Sequence, residues 1–321
     1  MGAPVPGRDR PGRGARPRRV GGRLAPWPWV GGRLGCDDTS WRGREVPALC
    51  GRRSGRRRSG PFGLLCAAAL GKELAQQLAA NARWIEVEID AECDVDGVKA
   101  DVKHILRIDE DLTGFYSRIE QSKAILWAKQ NGAGRLLRSS TVWEDLVKTI
   151  CTTNCSWSLT RIMVANLVDK LGEHGNDGRR SFPTPSAMAE MPESFYRDEI
   201  RAGYRSPYFI ELARSVVSGK TDPESWLTSD LSTADLKKEM KQVKGVGDYA
   251  AENLLKLVGR YDGLALDSWL RAGYYAKHNG GKKCSDSKIA RHYRKYGEWQ
   301  GLAIWCDMTE SWFDPPPVNP I

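Results

Sequence analysis

The chain has 321 residues, enough for one large or two modest domains, and its apolar and charged contents are those of a soluble protein. The net charge of +9 is concentrated in residues 1–60, which hold 15 arginines, no lysine and 4 acidic residues. Residues 61–321 hold 34 basic and 36 acidic residues, a net charge of −2. This balance excludes a broad basic surface on the folded part, so any binding to nucleic acid must use a local patch.

The first 65 residues are rich in Gly, Pro and Arg and show no hydrophobic periodicity, which predicts a disordered leader. Three interpretations of residues 1–60 remain open: a basic arm that adds nonspecific DNA affinity, an organellar targeting segment, or an upstream extension absent from the working protein. The lack of lysine before Lys72 favours the third.

The eight cysteines are scattered and do not form the framework of a secreted disulfide-rich protein. Cys151 and Cys155 have helical spacing, but no second pair or histidine cluster accompanies them, so reduced thiols are expected rather than a zinc site. The longest apolar run, near Phe62–Leu70, is too short to cross a membrane.

Residues 66–112 are predicted to form a small α/β module. The alternation of apolar and polar residues over Trp84–Ile89 predicts a strand, and His104–Ile108 is a second strand candidate. With a turn signal at Val95–Val98 between them, the two strands would form a small antiparallel sheet over 84–110.

Residues 113–310 are predicted to form a helical domain, followed by a Pro-rich tail at 311–321. The tail cannot continue a helix. Periodicity and capping signals predict helices over 113–131, 141–153, 157–171, 186–191, 193–202, 207–217, 232–242, 248–259, 267–278, 285–296 and 299–306.

The turn Val243-Lys244-Gly245-Val246-Gly247 joins two of these helices. Its glycines allow positive φ and close approach, and amides at the start of the second helix can bind an anion such as a DNA phosphate. Lys241 and Lys244 would add positive charge. The alternative is an ordinary helix connection, because short glycine motifs recur without function.

Asp267 lies twenty residues after Gly247, within the apolar surroundings of Leu266 and Trp269. Taken alone, an aspartate before a helix is most often an N-cap. The combination of turn, helix, loop and acid is the specific feature.

This combination resembles the helix-hairpin-helix DNA glycosylase superfamily, in particular its 3-methyladenine and 8-oxoguanine glycosylase branch. The resemblance covers about 84–310 and implies a mostly α, two-lobed glycosylase fold with a small N-terminal antiparallel β module. The matching residues are Val243, Gly245, Val246, Gly247, Ala250, Ala251 and Asp267, with further matches at 150–157 and 203–208.

By this resemblance Asp267 is the catalytic carboxylate, Lys241 and the turn Lys244–Gly247 bind the DNA backbone, and Asn154 enters the duplex where a damaged base is flipped out. The base pocket would be formed by Trp157, Tyr204, Tyr208 and Tyr249. Asn154 could instead simply end a helix, and the aromatic residues could be core.

Two departures from the family pattern limit the chemistry. Family members that also cut the strand carry a lysine two residues after the last hairpin glycine, and Tyr249 at this position cannot form an imine. An iron–sulfur cluster after the hairpin needs four cysteines, and only Cys284 and Cys306 lie beyond Gly247. No metal or cofactor is therefore expected, although the family pattern allows a monovalent cation at the hairpin carbonyls.

The resemblance thus implies a monofunctional DNA N-glycosylase of base excision repair, acting as an intracellular monomer on duplex DNA that holds an alkylated or oxidised purine. Two alternatives remain, a noncatalytic DNA-binding module and a bifunctional glycosylase with lyase activity. The sequence does not distinguish nucleoid, nucleus and organelle, and no membrane partner is expected.

Overall fold

The computed structural model describes residues 94–175 and 179–312, and this part of the chain is helical, with one isolated β-bridge between His174 and Arg180. The α-helices are α1 Val95–Leu106, α2 Thr113–Ile119, α3 Leu126–Gln130, α4 Val142–Thr152, α5 Trp157–Leu171, α6 Pro185–Ala189, α7 Glu193–Asp198, α8 Ser206–Val217, α9 Thr233–Met240, α10 Asp248–Leu257, α11 Ser268–His278, α12 Asp286–Tyr293 and α13 Gln300–Thr309. Short 3-10 helices lie at Gly203–Arg205, Pro223–Thr228, Arg294–Trp299 and Glu310–Trp312.

The helices pack around two hydrophobic cores. Helices α4 to α10 form the larger core, in which Leu146, Ile150 and Leu254 are fully buried. The smaller core joins α2 and α3 to α11, α12 and α13, with Phe115 and Ile289 at its centre. This arrangement agrees with the predicted two-lobed helical fold, and the polypeptide passes from one lobe to the other directly after α10.

The second predicted strand, His104–Ile108, is wrong, because these residues belong to α1 and its C-terminal turn. Asp94 caps this helix by accepting a hydrogen bond from the Gly97 amide at 3.1 Å, so the expected turn at Val95–Val98 is the first turn of the helix. A short apolar run fits a strand and a helix equally well, and here the run continues the helix that Asp94 caps. The first predicted strand, at 84–89, lies outside the described residues.

Other differences are smaller. The predicted helix at 113–131 is divided into α2 and α3, and two predicted helices end early, at Ala189 and Asp198. The leader and the Pro-rich tail from Phe313 onward lie outside the described residues. In the described part of the chain, each helix is too short or too polar to span a bilayer.

Arg107 joins the N-terminal helix to the C-terminal end of α10. Its side chain is buried, and Nη1 donates to the carbonyl oxygens of Lys256 and Leu257 at 2.8 and 3.0 Å. Nη2 donates to Glu110 at 2.6 Å. Carbonyls in the last turn of a helix lack the usual i+4 amide donor, and a cation at a helix C-terminus also complements the macrodipole. Arg107 therefore fixes α10 at the end opposite the hairpin.

Replacing Arg107 with Met should lower the free energy of unfolding by about 3 kcal/mol, because it removes three hydrogen bonds of a buried cation, one to Glu110 and two to carbonyls at the end of α10. Urea denaturation followed by circular dichroism measures this loss. Arg118→Met is the matched control, since Arg118 is exposed on α2 and its loss should change stability by less than about 0.5 kcal/mol. Equal stability of the two variants would contradict the role assigned to Arg107.

Candidate functional site

The hairpin consists of α9, the connection 241–247 and α10. Gly245 has φ +94°, and a Cβ added there would lie 2.8 Å from the Tyr208 ring. Gly247 is the N-cap of α10, and no side chain accepts a hydrogen bond at this position. In contrast, Thr141 and Ser156 cap α4 and α5 through their hydroxyls. The first amides of α10 are therefore presented without a side-chain acceptor, next to an open surface.

The two lysines that are predicted to contact the DNA backbone already form ion pairs with carboxylates of this chain. Lys241 donates to Asp248 at 3.0 Å, and Lys244 donates to Glu211 at 2.7 Å. All four side chains are more than a third exposed, so these pairs contribute little stability. They do reduce the positive charge that the two lysines present at the hairpin.

Asp267 is the N-cap of α11, and its Oδ1 accepts a hydrogen bond from the Leu270 amide at 2.7 Å. Its side chain is half-buried. The N-cap role that the sequence suggested is thus present, and it uses one carboxylate oxygen. The cap fixes the carboxylate at the start of α11, between the hairpin and the smaller lobe.

Asn154 lies in the connection between α4 and α5. It is exposed and has φ +45°, a left-handed conformation that asparagine tolerates better than most residues. The hydroxyl of Thr153 donates to the Ile150 carbonyl at 2.8 Å, which terminates α4 just before it. Asn154 therefore stands at the tip of a short, well-defined turn.

One open cleft of about 890 Å³ is bordered by the hairpin, Asn154 and Asp267. A smaller cavity of about 100 Å³ lies behind it, at the junction of the two lobes. Thr152, Tyr249 and Asp267 line both, so they form the passage between them. The remaining residues of the inner cavity are Leu136, Asp145, Lys148, Thr149, Asn253, Lys256, Leu257, Ala265, Trp269, Leu270 and Trp305.

The chain is only distantly similar to known proteins. No family model matches the chain. An N-glycosylase/DNA lyase of Saccharomyces cerevisiae is 25% identical over 181 residues, which is 53% of this chain and 48% of that protein. The chain thus matches about half the length of this curated relative.

Solved structures show the same architecture. MBOgg1 bound to a low-affinity DNA ligand superposes with a TM-score of 0.58, at 19% identity over 69% of this chain and 76% of that one. The 8-oxoguanine glycosylase/lyase of Clostridium acetobutylicum, bound to double-stranded DNA, superposes with a TM-score of 0.57, at 19% identity over 68% of this chain and 76% of that one. The 3-methyladenine DNA glycosylase of Archaeoglobus fulgidus superposes with a TM-score of 0.54, at 18% identity over 69% of this chain and 76% of that one.

The chain has the helix-hairpin-helix DNA glycosylase fold. Within this fold, Asp267 and Tyr249 lie where the hairpin cleft meets the inner cavity. Tyr204 and Tyr208 line the outer cleft, where their rings meet edge to face at 6.0 Å. Trp157 lines neither space, although the sequence placed it in the base pocket.

The glycosylase fold adds residues to the inner cavity that the sequence analysis missed. Trp269 and Trp305 contribute two indole rings with centroids 5.7 Å apart. Asn253 and Lys256 follow Tyr249 along one face of α10. Each of these residues looks ordinary in sequence, because tryptophan is usually core and lysine on a helix is usually solvated. A single signal was available, namely the helical spacing of Tyr249, Asn253 and Lys256.

Charges deep in the cavity are compensated. Lys148 is only 2% exposed and is paired with Glu144, which is equally buried. Burial lowers the pKa of Lys256 to about 8, and the charges of Glu252 and Asp267 oppose this shift. Burial also raises the pKa of Asp145 to about 6, against the effects of Ser139 and Lys148.

Tyr249 remains a neutral phenol over the whole physiological range. Burial and the nearby charge of Asp267 raise the pKa of its hydroxyl to about 12, against hydrogen bonds with Thr152 and Asn253. Next to Asp267, Tyr249 is therefore a hydrogen-bond donor and not a charged nucleophile.

A second polar cluster lies in the smaller lobe, where ligand-type atoms of His278, His292 and Asp307 are within 4.8 Å of one another. The Asp307 carboxylate is already engaged there. Its Oδ2 interacts with His278 Nε2 and the Tyr293 hydroxyl, both at 2.6 Å, and Lys277 lies 2.9 Å from Oδ1. This cluster ties α11, α12 and α13 together by hydrogen bonds and an ion pair.

The two hairpin glycines should respond differently to alanine. Gly245→Ala should cost about 2 kcal/mol of stability, because φ is positive and the new methyl group meets Tyr208. Gly247→Ala should keep its unfolding free energy within about 0.5 kcal/mol, because φ is −90° and its Cβ enters open space. The added methyl should nevertheless weaken binding of a DNA duplex by about tenfold, since it projects beside the amides.

Fluorescence anisotropy with a labelled duplex and thermal denaturation measure the two effects. Unchanged DNA binding by a stable Gly247→Ala variant would show that the hairpin is not the backbone contact.

Asp145→Asn should stabilise the protein more at neutral pH than in acid. The folded-state pKa of about 6 is above the ordinary aspartate pKa of 3.8, so between these values the folded protein binds the proton and stability falls as pH rises. The asparagine variant lacks this loss. The difference in unfolding free energy, variant minus wild type, should therefore grow by about 1–3 kcal/mol from pH 4 to pH 7. Urea titrations at both pH values measure it, and a constant difference would contradict the raised pKa.

Proposed function

We propose that this protein is a monofunctional DNA N-glycosylase that hydrolyses the glycosidic bond of a damaged purine in duplex DNA. The purine is alkylated or oxidised. One observation carries the proposal: Asp267 lines both the open cleft, which contains the hairpin and Asn154, and the inner cavity behind it. A carboxylate in the passage between an open cleft and a cavity lined by aromatic side chains is suited to chemistry at the sugar of a flipped nucleotide.

DNA would be held by the hairpin. A phosphate would accept hydrogen bonds from the amides at the start of α10, where no side chain caps the helix. This contact is independent of sequence, as repair of lesions at random positions requires. Asn154, exposed at the tip between α4 and α5, would occupy the space left by the extruded nucleotide.

The extruded base would enter the inner cavity. Trp269 and Trp305 supply faces on which a purine ring can stack, and base–aromatic stacking contributes about 1–3 kcal/mol per base. Tyr249 and Asn253 supply neutral polar groups beside them. Damaged bases are extruded at lower cost than intact paired bases, which adds to selectivity.

Bond cleavage would depend on Asp267. As the glycosidic bond breaks, the sugar acquires oxocarbenium character, and a nearby carboxylate stabilises the positive charge. The same carboxylate can orient or deprotonate the attacking water. The base leaves with the bonding electron pair, the water oxygen bonds to C1′, and the product is an abasic site in an intact strand.

Asp267→Asn should lower the single-turnover rate of base removal by about hundredfold or more, because the amide lacks the negative charge. Asparagine is itself a good N-cap, so α11 and overall stability should be preserved. The assay uses excess enzyme and duplexes that carry 8-oxoguanine, 7-methylguanine or 1,N6-ethenoadenine. Separate measurement of the released base and of strand nicks gives the reaction type.

The matched control is Asp94→Asn, which changes another N-cap aspartate outside the cleft and should leave the rate unchanged. If wild type processes a lesion and Asp267→Asn does so equally fast, Asp267 is not the catalytic group. If wild type binds the duplexes but releases no base from any of them, the protein is a binding module.

The yeast relative is named a lyase as well as a glycosylase, which makes strand cutting the rival reaction. Tyr249 occupies the position of the family's imine-forming lysine, and the phenol cannot form an imine with the abasic aldehyde. We therefore expect no covalent adduct when wild type is treated with borohydride on an abasic duplex. Tyr249→Lys serves as the matched comparison, since it restores an amine at this position and should give a trapped adduct. A strong adduct with wild type would establish that another amine performs lyase chemistry.

A further inference from the structure

One peptide bond in front of Asp267 is held on both sides by charged residues of α10. The Leu264 carbonyl accepts a hydrogen bond from Lys256 Nζ at 2.9 Å. The Ala265 amide, which belongs to the same peptide group, donates to Glu252 Oε2 at 2.6 Å. Hydrogen bonds to charged groups are about twice as strong as those between neutral groups. This peptide is therefore fixed in both orientation and position relative to α10.

The residue that follows this peptide bond is strained. Ala265 has φ +50°, the left-handed conformation that a residue with a Cβ rarely adopts, and its side chain is buried. Such a conformation persists only where the surroundings enforce it. Ala265 precedes Asp267 by two residues, so relaxation of its backbone would rotate the chain that presents the carboxylate.

Both holding residues are themselves fixed. Glu252 Oε1 accepts a hydrogen bond from Lys237 on α9 at 2.7 Å, so it connects both helices of the hairpin to the loop. Lys256 is 3% exposed, and its Nζ is engaged with the Leu264 carbonyl at the wall of the inner cavity. The contacts thus form a continuous chain from the hairpin, through Glu252, to the segment before Asp267.

The segment 261–265 is closely packed on two sides, so its backbone cannot shift freely. A Cβ at Gly263 would lie 2.6 Å from Glu252 Cγ, and one at Gly301 would lie 2.1 Å from the Gly263 carbonyl oxygen. The Gly301 amide also donates to the Tyr261 carbonyl at 2.7 Å. Helix α13 therefore presses the loop against α10, where Glu252 and Lys256 meet it.

We propose that Glu252 and Lys256 are positioning residues, which hold the Leu264–Ala265 peptide so that Asp267 stands at the passage between cleft and cavity. The inference rests on the catalytic role proposed for Asp267. Glu252 acts through the backbone and lines neither space. Its connection to Lys237 also couples the geometry of the carboxylate to the hairpin that would hold the DNA.

The test is a double-mutant cycle of wild type, Glu252→Ala, Ala265→Gly and the double variant. Two quantities are measured for each: the single-turnover rate of base removal at saturating enzyme, on the panel lesion that wild type processes fastest, and the Kd for a duplex with a tetrahydrofuran abasic analogue. Thermal denaturation confirms that each variant is folded.

Glu252→Ala should lower the single-turnover rate by roughly tenfold to hundredfold, the effect of a small misplacement of a catalytic group. Its Kd for the abasic duplex should stay within about threefold of wild type, because the hairpin amides are unchanged. In the Ala265→Gly background, the loss of single-turnover rate caused by Glu252→Ala should be about threefold to tenfold smaller, because glycine adopts the left-handed conformation without strain. A residue with a merely structural or a direct substrate role would not be relieved by glycine at 265.

Glu252→Gln is the conservative variant. It keeps an oxygen acceptor for the Ala265 amide and should retain a rate within about threefold of wild type. If Glu252→Ala does not fold, Lys256→Met with and without Ala265→Gly carries the same comparison, because Met removes the donor to Leu264 while filling the space.

Three results overturn the proposal: a wild-type rate in Glu252→Ala, the same loss in both Ala265 backgrounds, or a loss confined to Kd. The last would assign Glu252 to DNA binding. These results differ from failure of the proposed function, in which wild type itself releases no base or Asp267→Asn remains active.

Discussion

Helix α10 packs into the larger core with one face and lines the inner cavity with the other, and the arrangement of the surrounding elements depends on this double role. Ala250, Ala251 and Leu254 pack into the larger core. The opposite face presents Tyr249, Asn253 and Lys256 to the inner cavity. The N-terminus of the helix forms the hairpin, and Arg107 holds its C-terminal carbonyls. One rigid helix thereby sets the distance between the uncapped amides at its N-terminus and the segment that carries Asp267.

Sequence reasoning was sufficient where a local rule decides the outcome. The helix Trp157–Leu171 was predicted with its observed bounds, because Ser156 caps it and Gly172 follows it. The hairpin and the position of Asp267 were recognisable because their spacing along the chain is fixed by one helix and one loop. The N-cap function of Asp267 also followed from its place before an apolar helical pattern.

The sequence was insufficient to predict features that depend on contacts between distant parts of the chain. The run His104–Ile108 fits either secondary structure, and in the folded protein it forms the end of α1, where Arg107 donates hydrogen bonds to the Lys256 and Leu257 carbonyls of α10. Trp269 and Trp305 come from different helices, and only folding brings them into one cavity. The role of Glu252 could not be predicted either, because its partners Lys237 and Ala265 lie on opposite sides of it in the sequence and meet it only in the folded protein.

Electrostatics in this protein are local. Residues 61–321 have a net charge of −2, and the lysines near the hairpin are paired with carboxylates. A few oriented groups therefore take the place of a broad basic surface: the uncapped amides of α10, one half-buried carboxylate at the passage, and a neutral phenol beside it. The polar groups of the cavity are likewise held by named partners, which keeps them ordered before a substrate arrives.

The central claim is that a flipped base occupies the inner cavity while Asp267 faces its sugar. A crystal structure of the Asp267→Asn variant with a duplex that contains the preferred lesion tests this most directly. The account predicts the damaged base in the inner cavity beside Trp269 and Trp305, a phosphate on the α10 amides and Asn154 inside the duplex. A lesion that remains stacked in the duplex, or that is extruded away from this cavity while the hairpin is bound, would contradict it.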